Sequence, residues 1–436
     1  MTTPELRWLP TNAPLASSRT DDIWFIDPST GWAVNSNGQI LLTENGGASW
    51  TEQFRAGVYL RCVGFANRMR GWVGTLSEGR RLFHTRDGGA TWEQVANLPS
   101  VAPAAICGLS VVSESVVYAS GTNFPDQPPR MIKTLDGGTT WSGWEMSEHA
   151  TLLVDTFFTS PERGWVVGGK ANVSDPSRDD VKPVVLFTED GGQTWTNRVA
   201  DLEDEFPFGE WGWKIQFLND SVGFVSLENF NEGAILVTTD GGQTWRRRPV
   251  NDPQGNANLE GVGFIDEHHG WVGGWGDSSF LTGFSSETLD GGDHWGDANE
   301  IGRFINRFRF FGNPVTVGYA SGRTVFKYSS EPVGSSPALL APATQFLETN
   351  EPQESAGPVE IVYTVPPRAQ HLTLDIWDRF GRYVRKLRDE SDPRPGRQVI
   401  SWDFQDDSSR SVKPGAYIYR ITVDDEAESR IVLFKP

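Results

Sequence analysis

Five aspartates and one asparagine recur in one setting. Asn45, Asp87, Asp136, Asp190, Asp240 and Asp290 each follow a threonine by two residues, precede Gly-Gly, and stand five residues before a tryptophan. Those tryptophans are Trp50, Trp92, Trp141, Trp195, Trp245 and Trp295. Carboxylates in such number could serve acid–base catalysis or hold a metal. Their spacing argues against both, because hydrolytic chemistry needs two carboxylates at one place rather than one carboxylate copied at distant places. Asp before Gly-Gly is turn chemistry: the carboxylate accepts backbone N–H groups, and the glycines take positive φ without steric cost. The six copies are therefore expected to hold turns.

Other reactive residues are sparse. Cys62 and Cys107 are the only cysteines among 436 residues, too few for a disulfide framework or a cysteine-rich metal site, and they are expected to be free thiols. No His-Glu-x-x-His, nucleophile elbow, phosphate loop or dinucleotide fingerprint is present. Asp175, Asp179 and Asp180 lack the ligand spacing of a calcium loop. No cofactor and no metal are expected. The chain carries 38 basic and 57 acidic residues, net −19, which argues against a general nucleic-acid binder. No apolar run reaches the ~18–20 residues of a membrane span. The first residues lack the basic and apolar regions of a secretory leader, so a cytoplasmic product is expected, with a place in an exported particle left open.

The elements around each motif repeat too. In the second copy, Leu60–Phe65 and Gly71–Gly74 read as strands, Arg81–Thr85 leads into the turn, and Thr91–Val95 leads out. Ile23–Ile26, Gly31–Val34 and Gln39–Thr43 reproduce this order in the first copy. Four short strands per ~40–50 residues is the pattern of a propeller blade. A seventh unit, Phe304–Phe311, Val315–Ala320 and Thr324–Tyr328, has three strands and no motif. Glu5–Leu9 is expected to supply its fourth strand and close the ring. The fold class expected is all-β: a seven-bladed β-propeller over residues 1–330, then a small Ig-like β-sandwich.

The Thr-x-Asp-Gly-Gly-x-Thr-Trp motif resembles the Asp-box, or bacterial neuraminidase repeat. With the Gly-Trp-Val-Gly second strands, it looks most like the photosystem II assembly-factor propellers, and also like those of sialidases and xyloglucanases. The sialidase resemblance implies an Arg-Ile-Pro element, and this chain has none. The xyloglucanase resemblance implies two propellers, and the repeats fill one. Residues 331–358 are rich in Pro, Ser, Ala and Gly and read as a linker. Alternating runs follow across 359–436. There Phe380-Gly381, Trp402-Asp403 and Pro414-Gly-Ala-Tyr417 resemble the Ig-like domain of flagellar hook-capping proteins.

Loop length points to one working face. In a propeller the connections between second and third strands, and from one blade to the next, emerge together. Here these are the long ones, at 121–130, 169–183, 201–211 and 273–287. Glu203, Asp204, Glu205, Phe206, Phe208, Trp211, Trp275, Phe280 and Phe284 lie on them and are the expected contacts to a partner. Arg246-Arg247-Arg248 is expected to be a solvated outer edge. These readings imply a non-catalytic interaction protein, a scaffold or accessory subunit of a larger assembly such as a cell-surface complex or a phage-like or contractile particle. The alternative is a carbohydrate-binding propeller or degenerate glycosidase with a glycan ligand.

Overall fold

A computed structural model describes residues 6–124, 126–277, 282–330, 333, 346–347, 353–378, 383–424 and 426–435. The chain forms two compact units, the first comprising Met1–Leu15 and Arg19–Ser335, the second built on Ser336–Pro436.

The first unit contains seven four-stranded antiparallel sheets. Their first strands are Thr20–Phe25, Leu60–Phe65, Gly108–Val111, Leu152–Phe158, Trp211–Phe217, Ala257–Phe264 and Arg307–Gly312, numbered here as blades one to seven. Each first strand touches the first strand of the next blade, and that of blade seven touches that of blade one, so the seven close a ring. The closing strand is Arg7–Pro10, paired antiparallel with Val325–Ser329 as the outer strand of blade seven. Glu5, the first residue of the expected closing strand, lies outside the described residues. Trp8 anchors this closure. It is buried and packs edge-on against Trp271 at 5.4 Å between ring centroids, beside Phe308 and Tyr328.

A repeated aromatic joint explains the sequence pattern. The phenylalanine near the end of a first strand stacks on an aromatic from the second strand of the preceding blade. The pairs are Trp32 on Phe65, Tyr118 on Phe158, Phe224 on Phe264 and, across the closure, Tyr319 on Phe25, all at 3.6–3.7 Å. The motif tryptophan then meets the same ring edge-on, as Trp92 meets Phe65 at 5.9 Å and Trp295 meets Phe264 at 6.3 Å. The glycine opening each Gly-Trp strand has a steric cause. A Cβ on Gly71 would lie 2.5 Å from the Phe65 ring, and one on Gly31 would lie 2.3 Å from Phe25.

The second unit is also all β. A five-stranded sheet runs in the order Gln353–Ser355, Glu426–Phe434, Gly415–Val423, His371–Asp378 and Tyr383–Ser391. Its first pairing is parallel and the others are antiparallel. Val359–Val365 pairs with Gly396–Trp402 as a second, two-stranded sheet. Ile361, Tyr363, Leu374, Ile376, Trp402, Tyr419 and Ile421 form the shared core. The stretch read as linker enters this unit, because Phe346 and Leu347 are buried in its core and Gln353–Ser355 is an edge strand. Average composition concealed the Phe346-Leu347 pair. Phe380-Gly381 lies outside the described residues.

Candidate functional site

The motif acids are consumed by their own turns. Asp87 Oδ1 accepts from the Thr91 amide at 2.9 Å and the Thr85 hydroxyl at 2.8 Å, and Oδ2 accepts from the Thr91 hydroxyl at 2.6 Å. The Thr85 hydroxyl in turn accepts the Gly89 amide at 2.8 Å, with Gly88 and Gly89 both at positive φ. Asp136, Asp190 and Asp240 repeat these bonds with Thr140, Thr194 and Thr244. Asp290 uses His294, and Asn45 uses Ser49. Hydrogen bonds from the following Thr or His hold the Asp87, Asp190 and Asp290 carboxyls down at about 2. Each serves its own blade.

On the face of long connections, the structure divides the expected contacts. Glu203, Asp204 and Glu205 are exposed on a 3-10 turn, Ala200–Glu205. Phe208 is 68% exposed, with the Lys182 ammonium 4.7 Å from its ring centroid. Phe284 is half-buried beneath the Arg303 guanidinium, and Phe280 lies outside the described residues. Phe206, Trp211 and Trp275 are buried, and the face of Trp211 is covered by the Arg178 guanidinium. Phe206 belongs to a core cluster with Val199 and Trp245. Trp211 opens the first strand of blade five. Trp275 lies inside Gly270–Gly276, a strand longer than its apolar core, and packs on Phe304. The triple-arginine strand is not wholly a solvated edge either. Arg246 is exposed, but Arg247 grips buried Glu210 through two bonds of 3.0 and 2.7 Å and also pairs with Glu232.

The main polar assembly lies on the propeller axis. Five first strands carry a bulge, two residues opposite one on the second strand. The extra residue is Asp21, Arg61, Val154 and Glu260 in blades one, two, four and six. In blade five, Trp213 and Lys214 oppose Ser226. A bulge re-aims side chains that regular alternation would send to opposite faces. Consecutive Asp21 and Asp22 thus both reach cations of other blades. Asp21 accepts from Arg61 at 2.5 Å and pairs with Arg19 at 2.9 Å. Arg19 also pairs with Glu260 of blade six and donates to the Tyr59 hydroxyl. Asp22 accepts from Arg307 Nε at 3.0 Å, while the other two nitrogens of Arg307 hold Asp155 at 2.8 and 3.0 Å. Blades four and seven are not neighbours, so the Asp155–Arg307 pair spans the axis. Trp213 donates to Asn306 at 2.8 Å and faces the Arg61 guanidinium.

Every charged member of this network is at least nine-tenths buried. Burial pushes the Glu228 and Glu260 carboxyls up, against the pull of Arg178 and Arg19. Burial and the nearby Arg307 pull the Lys214 ammonium down to about 8. Its Nζ lies 3.9 Å from Asp155 and has no hydrogen-bond partner among the described residues. The chemistry of this arrangement is mutual neutralisation, which ties six blades together. The sequence signal was available: charged residues three and four places before a strand-closing phenylalanine, as in Asp21-Asp22 before Phe25, Lys214 before Phe217 and Glu260 before Phe264. Cys62 is buried nearby, its thiol pushed up by burial, and both cysteines are free. Among the described residues no group of three or more His, Cys, Asp or Glu could hold a metal ion. Among them no helix is long and apolar enough to cross a membrane.

The family model described as photosynthesis system II assembly factor YCF48 matches residues 2–127, the closing strand, the first two blades and part of the third. The photosystem II assembly lipoprotein Ycf48 of Synechococcus sp. (strain CC9902) is 31% identical over 132 residues. That match covers 28% of this chain and 35% of the relative, about a third of its length. Among solved structures, YCF48 bound to a D1 peptide superimposes with a TM-score of 0.53 at 17% identity, over 76% of this chain and 99% of that one. YCF48 from Cyanidioschyzon merolae gives 0.53 and 17%, over 74% and 98%. A GH74 enzyme from Niastella koreensis gives 0.53 at 11% identity, over 96% of this chain and 73% of that one. At these identities the structural likeness is one of fold: the first unit is a BNR-like, seven-bladed β-propeller.

Proposed function

We propose that this chain is a non-catalytic, protein-binding factor in the assembly of a larger complex. The observation that carries the reading is the match of residues 2–127 to the YCF48 assembly-factor model. The solved YCF48 with a D1 peptide makes a protein segment the class of ligand we assign. The axial geometry agrees with this. Asp21, Asp22, Asp155 and Glu260 are each engaged by cations of the protein itself, an arrangement that suits a rigid scaffold better than acid–base chemistry. The face of long connections, with Phe208, Phe284, Glu203, Asp204 and Glu205, is the surface we assign to docking. We assign to the second unit, an all-β domain, the Ig-like character that the resemblance at Trp402 and Tyr417 implies, and the role of attaching the propeller to its assembly. A cell-surface complex or a phage-like or contractile particle is the setting that this resemblance adds.

The test is affinity capture of the tagged full chain from its host after cross-linking, with chromogenic glycosides and a glycan array run alongside. Recovery of a defined set of proteins in fixed ratio is expected. Glycoside turnover, or glycan binding with no protein recovered, would replace this reading with the carbohydrate one.

A further inference from the structure

The connection between the second and third strands of blade four spans residues 171–181, between Gly164–Lys170 and Lys182–Thr188. One side chain of this loop reaches into the neighbouring blade. The Arg178 guanidinium lies 4.3 Å from the centroid of Trp211 and 3.7 Å from that of Phe230, and its Nη2 is 3.5 Å from Glu228 Oε1. Trp211 and Glu228 are buried, Phe230 is half-buried, and the Arg178 side chain is 16% exposed. Two aromatic faces and one carboxylate form a socket fitted to a planar cation, the geometry that favours arginine over lysine.

The loop does not depend on this contact for its own shape. Asp180 accepts from the Ser177 amide and hydroxyl at 2.8 and 2.7 Å, and the Gly209 amide donates to the Val181 carbonyl at 2.9 Å. Arg178 is therefore a side chain inserted from an independently closed turn. The ground beside the socket is acidic. The Lys182 ammonium donates to the Glu203 carbonyl, and the Asn172 amide to the Glu203 carboxylate. These contacts bring the exposed Glu203, Asp204 and Glu205, with Phe208 beyond them, against the same loop.

We propose that Arg178 is an internal occupant of an arginine-recognition socket, and that the partner docks here by placing an arginine from a basic, extended segment between Trp211 and Phe230 against Glu228. The inference rests on the protein-partner reading above and gives that partner its chemistry. The acidic rim complements such a segment, and the loop's own arginine shows that a guanidinium fits. Occupation by Arg178 lowers apparent affinity, because only molecules with the loop withdrawn are competent to bind.

The test is calorimetric titration of the full chain with acetyl-Gly-Arg-Gly-amide, and with the matching lysine and citrulline peptides. Arg178→Ala should bind the arginine peptide about tenfold tighter than the parent, or more. The lysine peptide should gain less, and the uncharged citrulline peptide should gain nothing. Adding Glu228→Gln to Arg178→Ala should remove the gain. Arg178→Gln serves the same purpose if the alanine variant melts below the parent. The proposal is overturned if neither Arg178 variant gains, if citrulline binds as well as arginine, or if Glu228→Gln leaves the gain intact. Failure here while the parent still captures a protein complex would sink the socket and leave the partner reading standing. Failure of the capture alone would do the reverse.

Discussion

Acidic residues at the motif turns and acidic residues on the axis live by opposite physics. Asp87 and Asp190 are half-buried and Asp290 is exposed; all three are satisfied by neighbours within four residues and are held near 2 by those hydrogen bonds. Asp21, Asp22, Asp155 and Glu260 are buried, and each has a partner outside its own blade, up to 285 residues away. A turn carboxylate organises one loop; an axial carboxylate connects blades. The number of copies of an acid in the sequence is therefore a poor guide to what its loss would do to the ring.

The largest expected effect is on the axis. Arg307→Ala removes the cation shared by Asp22 and Asp155 and leaves two buried carboxylates short of partners. Breaking a buried pair from one side typically costs about 3–5 kcal/mol. Urea unfolding at pH 7 should show a loss of that size, with all seven blades melting together. A loss below about 1 kcal/mol, the range of exposed pairs, would mean that the axis is solvated and the comparison false.

Asp190→Ala should do less, and locally. It frees the Gln193 and Thr194 amides of one exposed turn. Hydrogen exchange at those amides should rise while the global urea midpoint moves by less than it does in Arg307→Ala. Acid sharpens the contrast. Asp87, Asp190 and Asp290 have folded values near 2, below the ordinary value of about 3.9. Their contribution is complete above about 4 and is lost as pH falls toward 2. Replacing Asp87, Asp190 and Asp290 together by Asn should flatten stability across that window. A triple variant that keeps the full acid dependence of the parent would assign acid unfolding to the axis instead.

The two regions also differ in how far they can be read from the chain. Blade count, Asp-box turns and the closing strand at Trp8 follow from local repetition, since turn chemistry and strand alternation act over a few residues. The axis breaks alternation. A bulge turns Asp21 and Asp22, or Trp213 and Lys214, toward one centre, whereas a strict two-residue period sends one of each pair outward. Trp211 and Trp275 are buried, despite bordering loops in sequence, for a related reason. Their strands run past the apolar runs that mark them, so rings that border loops in sequence lie in the core. Glu203, Asp204, Glu205 and Phe208 followed the simple rule, because polar turns carry their exposure with them.

The smallest effect should come from the axial charge that is least well held. Lys214 is as buried as Arg307, but its ammonium is 3.9 Å from Asp155 and finds no hydrogen-bond partner among the described residues. Asp155 keeps its two bonds to Arg307 whether or not Lys214 is charged. Replacing a poorly paired buried ion with an apolar side chain of similar volume is often neutral or stabilising. Lys214→Met should therefore melt in urea at pH 7 within about 1 kcal/mol of the parent, on the stable side. The parent should also gain stability between pH 8 and about 10.4, the ordinary lysine value, because in that interval the unfolded chain binds a proton that the folded chain has released. Lys214→Met should lose that rise. A loss at pH 7 of about 3 kcal/mol or more, the size expected for breaking a true buried pair, would make Lys214 an equal partner of Asp155. The distinction between held and unheld charges on the axis would then fall, while that between axis and turns would survive.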